Sequence, residues 1–398
     1  MKQLWSLLVF VTLANAASIE IGPWSGAVTP TSAVVKIKGT VDRLKLGDRE
    51  ITGTRAGAIT TFTLTGLQPD HEYGYRVGER TGKFRTFPTG PSSFQFAFGS
   101  CGKSNDVPVY ETIANQHSLF YLNLGDLHYS DIASNEAALF RAAYDRIFSG
   151  RRYAQLFATT PFVYVWDDHD FGPNDCNKNS PSRDASRQVY REYIPHYSLP
   201  DAGAIYQTFE VGRVKFIVTD NRSERTPNDA PDDAQKSMLG EKQKAWFKQE
   251  LLAANGRYPL IFWVSSVNWI GKPGKADHWA AFATERAELA NFIKEQKIAG
   301  VVILSGDAHM TSADDGSNGD YADGGGAPLP QFLSSPLDRP GNVKGGPFSH
   351  GIYVPGKGEG LYGLVTVEDR GATIAVSFSG RNDRDQEKVS LRLSFPAR

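Results

Sequence analysis

Apolar positions along this chain fall into two regimes. Up to about Pro88 they form short β-like runs, at 33–37, 60–64 and 73–77, parted by the turn pairs Thr29-Pro30, Gly39-Thr40 and Pro69-Asp70. That spacing predicts a β-sandwich of roughly 70 residues. The stretch Phe87-Pro88-Thr89-Gly90-Pro91-Ser92-Ser93 then reads as a linker. Beyond it the runs become apolar throughout and alternate with helical spacing. Strands are predicted at 94–98, 120–124, 163–166, 260–265 and 301–305, with a hairpin at 205–209 and 214–219 and later strands near Phe332, Leu364 and Ile374. Helices are predicted at 107–116, 135–148, 151–158, 183–193, 242–254 and 284–297. Strand–helix alternation followed by late strand pairs predicts an α/β architecture of two sheets covered by helices.

Three of the apolar strands share one feature: each runs at its carboxyl end into acidic and imidazole side chains. Val163-Tyr164-Val165-Trp166 leads into Asp167-Asp168-His169-Asp170. Phe120-Tyr121-Leu122-Asn123-Leu124 leads into Gly125-Asp126-Leu127-His128-Tyr129, and Val301-Val302-Ile303-Leu304-Ser305 into Gly306-Asp307-Ala308-His309. Any one of these alone reads equally as an acidic surface turn. Like charges gathered at buried strand tips are costly unless a cation offsets them. Oxygen and nitrogen donors at the carboxyl ends of several α/β strands are how such a sheet builds a metal site.

As donors, Asp126 and Asp307 are hard oxygens, His309 an imidazole, Tyr129 a phenol and Cys101 a thiol directly after the 94–98 strand. Asp126 and Tyr129, three apart, can approach one metal from adjacent directions. Asp307 and His309, two apart, can reach one metal or two neighbours. A carboxylate such as Asp126 can bridge two cations, and a two-metal centre clamps the attacking and leaving oxygens of phosphate ester hydrolysis.

Composition narrows the setting. Lys and Arg number 43 against 44 Asp and Glu, a formal net charge of −1, so nothing favours nucleic acid or an anionic membrane surface as a partner. At 398 residues the chain predicts one large domain and a small one. Lys2, the apolar run from Leu4 to Leu13 and Ala14-Asn15-Ala16 form a Sec-type export signal with cleavage near Ala16 or Ala17. The run is too short to span a bilayer, and no Arg pair or cleavage-point Cys accompanies it. The expected mature protein is periplasmic or secreted, with no transmembrane anchor and its oligomeric state left open.

Together, Phe98-Gly99-Ser100-Cys101, Gly125-Asp126-Leu127-His128-Tyr129, Trp166-Asp167-Asp168-His169-Asp170, Asp220-Asn221-Arg222 and Ser305-Gly306-Asp307-Ala308-His309 resemble the PhoD-like branch of the metallophosphoesterases. The segment from Leu64 to Tyr73 similarly resembles the E–F corner of fibronectin type III modules, with Tyr73 as the corner tyrosine. These resemblances imply a four-layer α/β/β/α sandwich at 94–398 behind a fibronectin type III-like β-sandwich at 18–88. By position, Asp126 would bridge two metals. Cys101, Tyr129 and His309 would surround Fe(3+), and Asp168 and Asp307 would serve a divalent site, Ca(2+) or alternatively Zn(2+), Mg(2+) or Mn(2+). His169 would contact the phosphate and protonate the leaving alkoxide. Asp220 and Arg222 would support and bind the phosphate, or form a surface ion pair.

The implied activity is that of an exported, metal-dependent phosphoesterase acting on phosphate monoesters, diesters or both through a metal-bound hydroxide. Two other readings compete: a non-catalytic binding protein with a degenerate phosphatase domain, and a calcium-stabilised structural protein using acidic loops at Asp314-Asp315 and Asp320.

Departures from the family pattern leave choices open. His128 has no counterpart in the family spacing and would stand behind the ligands, face substrate or be exposed. Asn268 is a further ligand or a satisfied core amide. Asp167 and Asp168 compete for one place, assigned to Asp168 beside His169. Asp170 stands where the family carries Glu. The two cysteines, Cys101 and Cys176, would ordinarily pair in an exported protein. The reading adopted is a metal thiolate at Cys101 and a free Cys176, since a bound cation deprotonates a coordinating thiol.

Overall fold

The computed structural model describes residues 17–104, 106–274 and 276–397, and the export signal read between Lys2 and Ala16 lies outside the described residues. The strands assemble into sheets of ten, seven and four, a mixed α/β fold. At the centre of the largest are three parallel strands, Phe94–Gly99, Tyr121–Asn123 and Phe162–Tyr164, with Tyr121 level with Ala97 on one side and Phe162 on the other. The antiparallel strands Leu361–Asp369, Thr373–Asn382 and Glu387–Pro396 extend one edge. At the other, Ile19–Gly26 joins through the pair Gly26↔Phe162 and brings Ser32–Gly39, Ile59–Thr65 and Thr54–Ala56 into the same sheet. The seven-stranded sheet is built on the parallel strands Val214–Val218, Leu260–Ser265, Val301–Ser305 and Gln331–Ser334.

Central parallel strands are buried on both faces, which is why they read as unbroken apolar runs. Phe216 and Phe262 point one way, meeting Phe96 of the facing sheet edge-on at ring-centre distances of 5.5 and 5.4 Å. Their neighbours Ile217, Ile261 and Trp263 point the other way, into a cluster with Phe247, Leu251, Leu289 and Ile293 of the helices Gly240–Ala254 and Ala283–Glu295. On the far side of the ten-stranded sheet, Phe148, Phe157 and Tyr190 of three further helices pack on Phe162 and Tyr164. Each fully buried ring of this kind contributes roughly 1.5–3 kcal/mol. That reserve lets the strand ends hold unfavourable geometry.

The amino-terminal strands also form the four-stranded sheet, from Arg43–Leu46, Arg49–Thr52, Glu72–Val77 and Arg80–Arg85. The Gln68 N–H donates to Tyr73 Oη at 2.8 Å. Trp24 Nε1 donates to the Tyr193 carbonyl, and Lys36 Nζ to those of Arg191 and Glu192, which ties this unit to the helix Arg183–Tyr193.

One element differs from its predicted extent in a way that matters. The strand expected at 163–166 ends at Tyr164, because Asp167 caps a four-residue helix, Asp168–Phe171. Asp170 Oδ2 accepts the Asp167 N–H at 3.2 Å, closing that turn.

Candidate metal centre

The loops after the parallel strands of both sheets meet. The Asp307 N–H donates to Ser100 Oγ at 3.1 Å, and the Gly306 N–H to the Ser266 carbonyl at 3.1 Å. Cys101, Asp126, Asp307 and His309 all take left-handed backbone angles, with φ from 53° to 63°. Non-glycine residues adopt this region rarely, and such strain concentrates at functional sites. Gly125, at φ 100°, lies where a Cβ would come within 2.5 Å of Asp167 Cβ, so only glycine lets the two acidic loops approach.

Four donors converge first. Tyr129 Oη donates to Asp126 Oδ2 at 2.8 Å, lies 3.3 Å from His309 Nε2, and is within hydrogen-bonding reach of the Cys101 thiol. His309 Nδ1 is 2.9 Å from the Pro340 carbonyl. That oxygen can only accept, so Nδ1 carries the proton and the Nε2 lone pair is left for the centre, as for a metal-ligating histidine.

Two further groups share Asp126. Donor atoms of Asp126, Asp168 and His169 lie within 4.8 Å of one another, and so do those of Asp126, Asp167 and Asp307. Asp126 Oδ1, Asp167 Oδ2 and Asp307 Oδ2 are buried with no hydrogen-bond partner. Orphaned acceptors of this kind are rare in a native core, and converging carboxylates with free lone pairs fit a pair of cations.

The electrostatics agree. Burial, and then Asp168 and the other carboxylates, push Asp126 well above the ordinary range. Burial carries Asp167 up to about 7 against the pull of Arg222, and burial with Asp126 and Asp307 raises the Cys101 thiol. Burial opposes ionisation of Asp168 most strongly, but Arg222, His169 and the Asp175 N–H together hold the carboxyl below its usual value.

His169 sits in the short helix with its ring on Tyr129 at 4.0 Å, and Nδ1 is 2.5 Å from Asp131 Oδ1. Asp131 was not legible as a site residue: it is a lone loop carboxylate with no flanking pattern.

Two sequence expectations need correction, and a third, open one narrows. Asp168 does not share a group with Asp307. Asp167 takes that place, because Arg222 Nε and Ser266 Oγ hold its Oδ1 at 2.6 and 2.8 Å and leave Oδ2 free, while Asp168 accepts the His169 and Asp175 N–H groups. Arg222 is neither a phosphate ligand nor a surface ion pair. It is fully buried, its Nη atoms donate to both oxygens of Asp277 at 3.0 and 2.6 Å, and Nη1 also reaches the Cys176 carbonyl. A fork committed in this way has no edge left for substrate. His128 is buried against Tyr144, with Nδ1 4.0 Å from Asp170 and both ring nitrogens unpartnered. Burial lowers it to about 3, so it is a neutral core side chain.

Other positions resolve more simply. Asn268 is a satisfied core amide, bonded to Ile270, Lys344 and Gln331. Asp220 accepts from Trp166 Nε1 and from the Ile205 and Arg222 N–H groups, an architectural role. Cys101 and Cys176 are both free and buried. Asp320 spends its oxygens on N–H groups of its own loop, and Asp314 on the Gly316, Asn318 and Ser349 N–H groups and the Asn318 amide. Among the described residues no helix is long and apolar enough to cross a membrane.

A family model described as PhoD-like phosphatase matches residues 96–348. Alkaline phosphatase D of Bacillus subtilis (strain 168) is 24% identical over 306 residues, covering 62% of this chain and 52% of that protein, so the chain spans about half the length of this curated relative. A solved structure of PhoD superposes with a TM-score of 0.73 at 18% identity, covering 94% of this chain and 90% of that one. A purple acid phosphatase from yellow lupin (Lupinus luteus) seeds superposes at 0.61 and 11% identity, covering 94% and 74%. The two structural likenesses show a shared fold.

Proposed function

Since the chain belongs to the PhoD-like phosphatase family, and with it to the phosphoric ester hydrolases, we propose that it cleaves phosphate esters at a centre of two or more cations bridged by Asp126. The observation that carries this reading is the place of Asp126 between two donor sets, its Oδ2 accepting from Tyr129 beside His309 and its carboxylate, with Oδ1 unpartnered, grouped with Asp167 and Asp307. Cys101, Tyr129, His309 and Asp126 would hold one cation, and a thiolate, phenolate, imidazole and carboxylate together suit Fe(3+). Asp126, Asp167 and Asp307, all oxygen donors, suit Ca(2+), with Mg(2+), Mn(2+) or Zn(2+) as alternatives. Cations bound there would lower the pKa of water towards neutrality and offset charge on the phosphoryl oxygens.

The chain's own residues do the rest. Asp131 grips His169 through Nδ1 and so orients the ring, leaving the other nitrogen to protonate the leaving alkoxide. Arg222 holds Asp167 from behind and ties it to Asp277, fixing the carboxylates before substrate arrives. We take the two-sheet body at 94–398 as an α/β/β/α sandwich, the strands at 18–88 as a fibronectin type III-like unit, and the chain as exported.

The test is hydrolysis of p-nitrophenyl phosphate and bis(p-nitrophenyl) phosphate before and after chelation. Turnover that disappears with the bound metal and returns on reloading supports the reading. Tight metal binding with no turnover of either ester would instead favour a non-catalytic binding protein.

A further inference from the structure

With Arg222 committed to Asp167 and Asp277, the phosphate needs other cations, and two border the centre from a single loop. We propose that the segment 338–346 is a phosphate clamp, in which Lys344 and Arg339 bind the non-bridging oxygens of the substrate. This rests on the phosphoesterase reading above.

Lys344 Nζ lies 2.6 Å from Asp307 Oδ1, and its side chain is 30% exposed, so the ammonium stands between a buried ligand and the solvent. The Arg339 guanidinium lies over the Tyr129 ring at 4.4 Å, and its Nε is buried with no partner. Each cation therefore touches a different ligand of the centre.

The loop has no regular structure, yet it is pinned along its length to the ligand-bearing segments. The Asp338 carboxylate accepts the Lys103 and Ser104 N–H groups, and its own N–H donates to the Cys101 carbonyl. The Pro340 carbonyl accepts from His309 Nδ1, and the Asn342 N–H donates to the His309 carbonyl at 2.9 Å. Asn268 Nδ2 donates to the Lys344 carbonyl at 3.2 Å, and the Gly346 N–H to the Ile270 carbonyl at 3.1 Å. Gly345, at φ 82°, sits where a Cβ would fall 1.9 Å from Asn268 Nδ2. Ordering a backbone residue costs about 1–2 kcal/mol, so a loop fixed this densely delivers its two cations to set positions.

Chemistry selects phosphate as their ligand. Lys344 Nζ takes Asp307 Oδ1 and leaves Oδ2 for a divalent cation, so the two positive charges repel across one carboxylate. Once that carboxylate serves a metal, Nζ needs another anion, and the phosphoryl group entering the centre supplies one. Arginine's planar fork matches phosphate oxygens, and Arg339 has a donor to give.

The experiment titrates inorganic phosphate into metal-loaded full-length protein by calorimetry, with metal content measured on the same samples, for wild type, Lys344→Met, Lys344→Arg and Arg339→Met. The clamp predicts that both Met variants lose about tenfold or more in phosphate affinity at unchanged metal content, while Lys344→Arg keeps most of it. It also predicts that metal-depleted Lys344→Met takes up the divalent ion more tightly than wild type, because the repelling ammonium is gone. Unchanged phosphate affinity in both Met variants would overturn it, and so would loss of metal from Lys344→Met, which would make Lys344 a structural counter-ion. Wild type that binds phosphate but never turns over would defeat the hydrolase reading alone. Wild type that turns over, with Met variants that bind phosphate equally well, would defeat the clamp alone.

Discussion

Tyr129 Oη donates a 2.8 Å hydrogen bond to Asp126 Oδ2, so a phenol and a carboxylate three positions apart present their oxygens to one point. The other oxygen of Asp126 is buried and unpartnered. On the proposed assignment one side chain serves two cations and its neighbour one, so substitutions at the two should differ. Asp126→Asn should lose turnover and most of the bound metal together. Tyr129→Phe should lose the higher-charge cation preferentially, with any visible absorption band arising from phenolate or thiolate coordination. Elemental analysis alongside a turnover assay checks both, and full metal with full activity in Asp126→Asn would refute the bridging assignment.

His169 is oriented by Asp131 at 2.5 Å, so its contribution should depend on the leaving group. General acid catalysis typically supplies about 10²–10⁴-fold, and an ester of an acidic phenol needs little of it. His169→Ala should therefore slow alkyl phosphates far more than p-nitrophenyl phosphate, and Asp131→Asn should do the same to a smaller degree. Equal losses on both substrates would make the ring a binding group.

The two cysteines should behave unequally. Cys176 Sγ donates to the Asp168 carbonyl at 3.3 Å, whereas Cys101 lies beside Asp126 and Asp307. Cys176→Ser should leave metal content and turnover largely intact, and Cys101→Ser should not. Peptide mass mapping of active protein should find both thiols free; a Cys101–Cys176 disulfide in fully active material would overturn the thiolate ligand.

How much of this was legible in the chain depends on whether a residue's role is written locally. The strand Leu260–Ser265 and the helix Arg183–Tyr193 coincide with the predicted spans, because a buried parallel strand and an amphipathic helix each repeat their signal over several residues. Cys101, Asp126, Tyr129 and His309 could be singled out because each follows an apolar strand, and they do lie together. Asp277, Asp131, Arg339 and Lys344 carry no such mark. Each is one charge in an irregular loop, and its role comes from a partner far along the chain, as when Asp277 meets Arg222 across 55 positions. Arg222 was misread for the same reason, since a guanidinium before folding looks equally suited to phosphate and to carboxylate. The entry of Ile19–Gly26 into the main sheet rests on a single pairing, Gly26↔Phe162, which no local pattern encodes.

Arg222 should therefore matter for stability before it matters for substrate. Removing one partner from a buried ionic network costs about 3–5 kcal/mol, and Arg222→Met would strand Asp167 and Asp277 together. Urea unfolding should show a loss of that order. A variant of wild-type stability with only a raised KM would restore the phosphate-binding role.

Glu285 offers a pH test remote from the metal centre. It accepts from Ser237 Oγ and the Met238 N–H, and burial holds its carboxyl up to about 6 from 4.5. Over that interval the folded chain keeps a proton that the unfolded chain has released, so this group's contribution to stability falls as pH rises from about 4.5 to 6 and stays low above. The loss is on the order of 2 kcal/mol. Glu285→Gln should show a smaller drop in unfolding free energy between pH 4.5 and pH 8 than wild type, and an identical drop would contradict the assignment.

The most direct test of the central claim is the metal content of the purified protein, measured by elemental analysis against its hydrolysis of p-nitrophenyl phosphate during stepwise chelation and reloading. A centre bridged by Asp126 predicts at least two bound cations per chain, with activity that falls and returns in step with them. Protein that carries no metal and still hydrolyses the ester, or that keeps its activity when stripped, would contradict it.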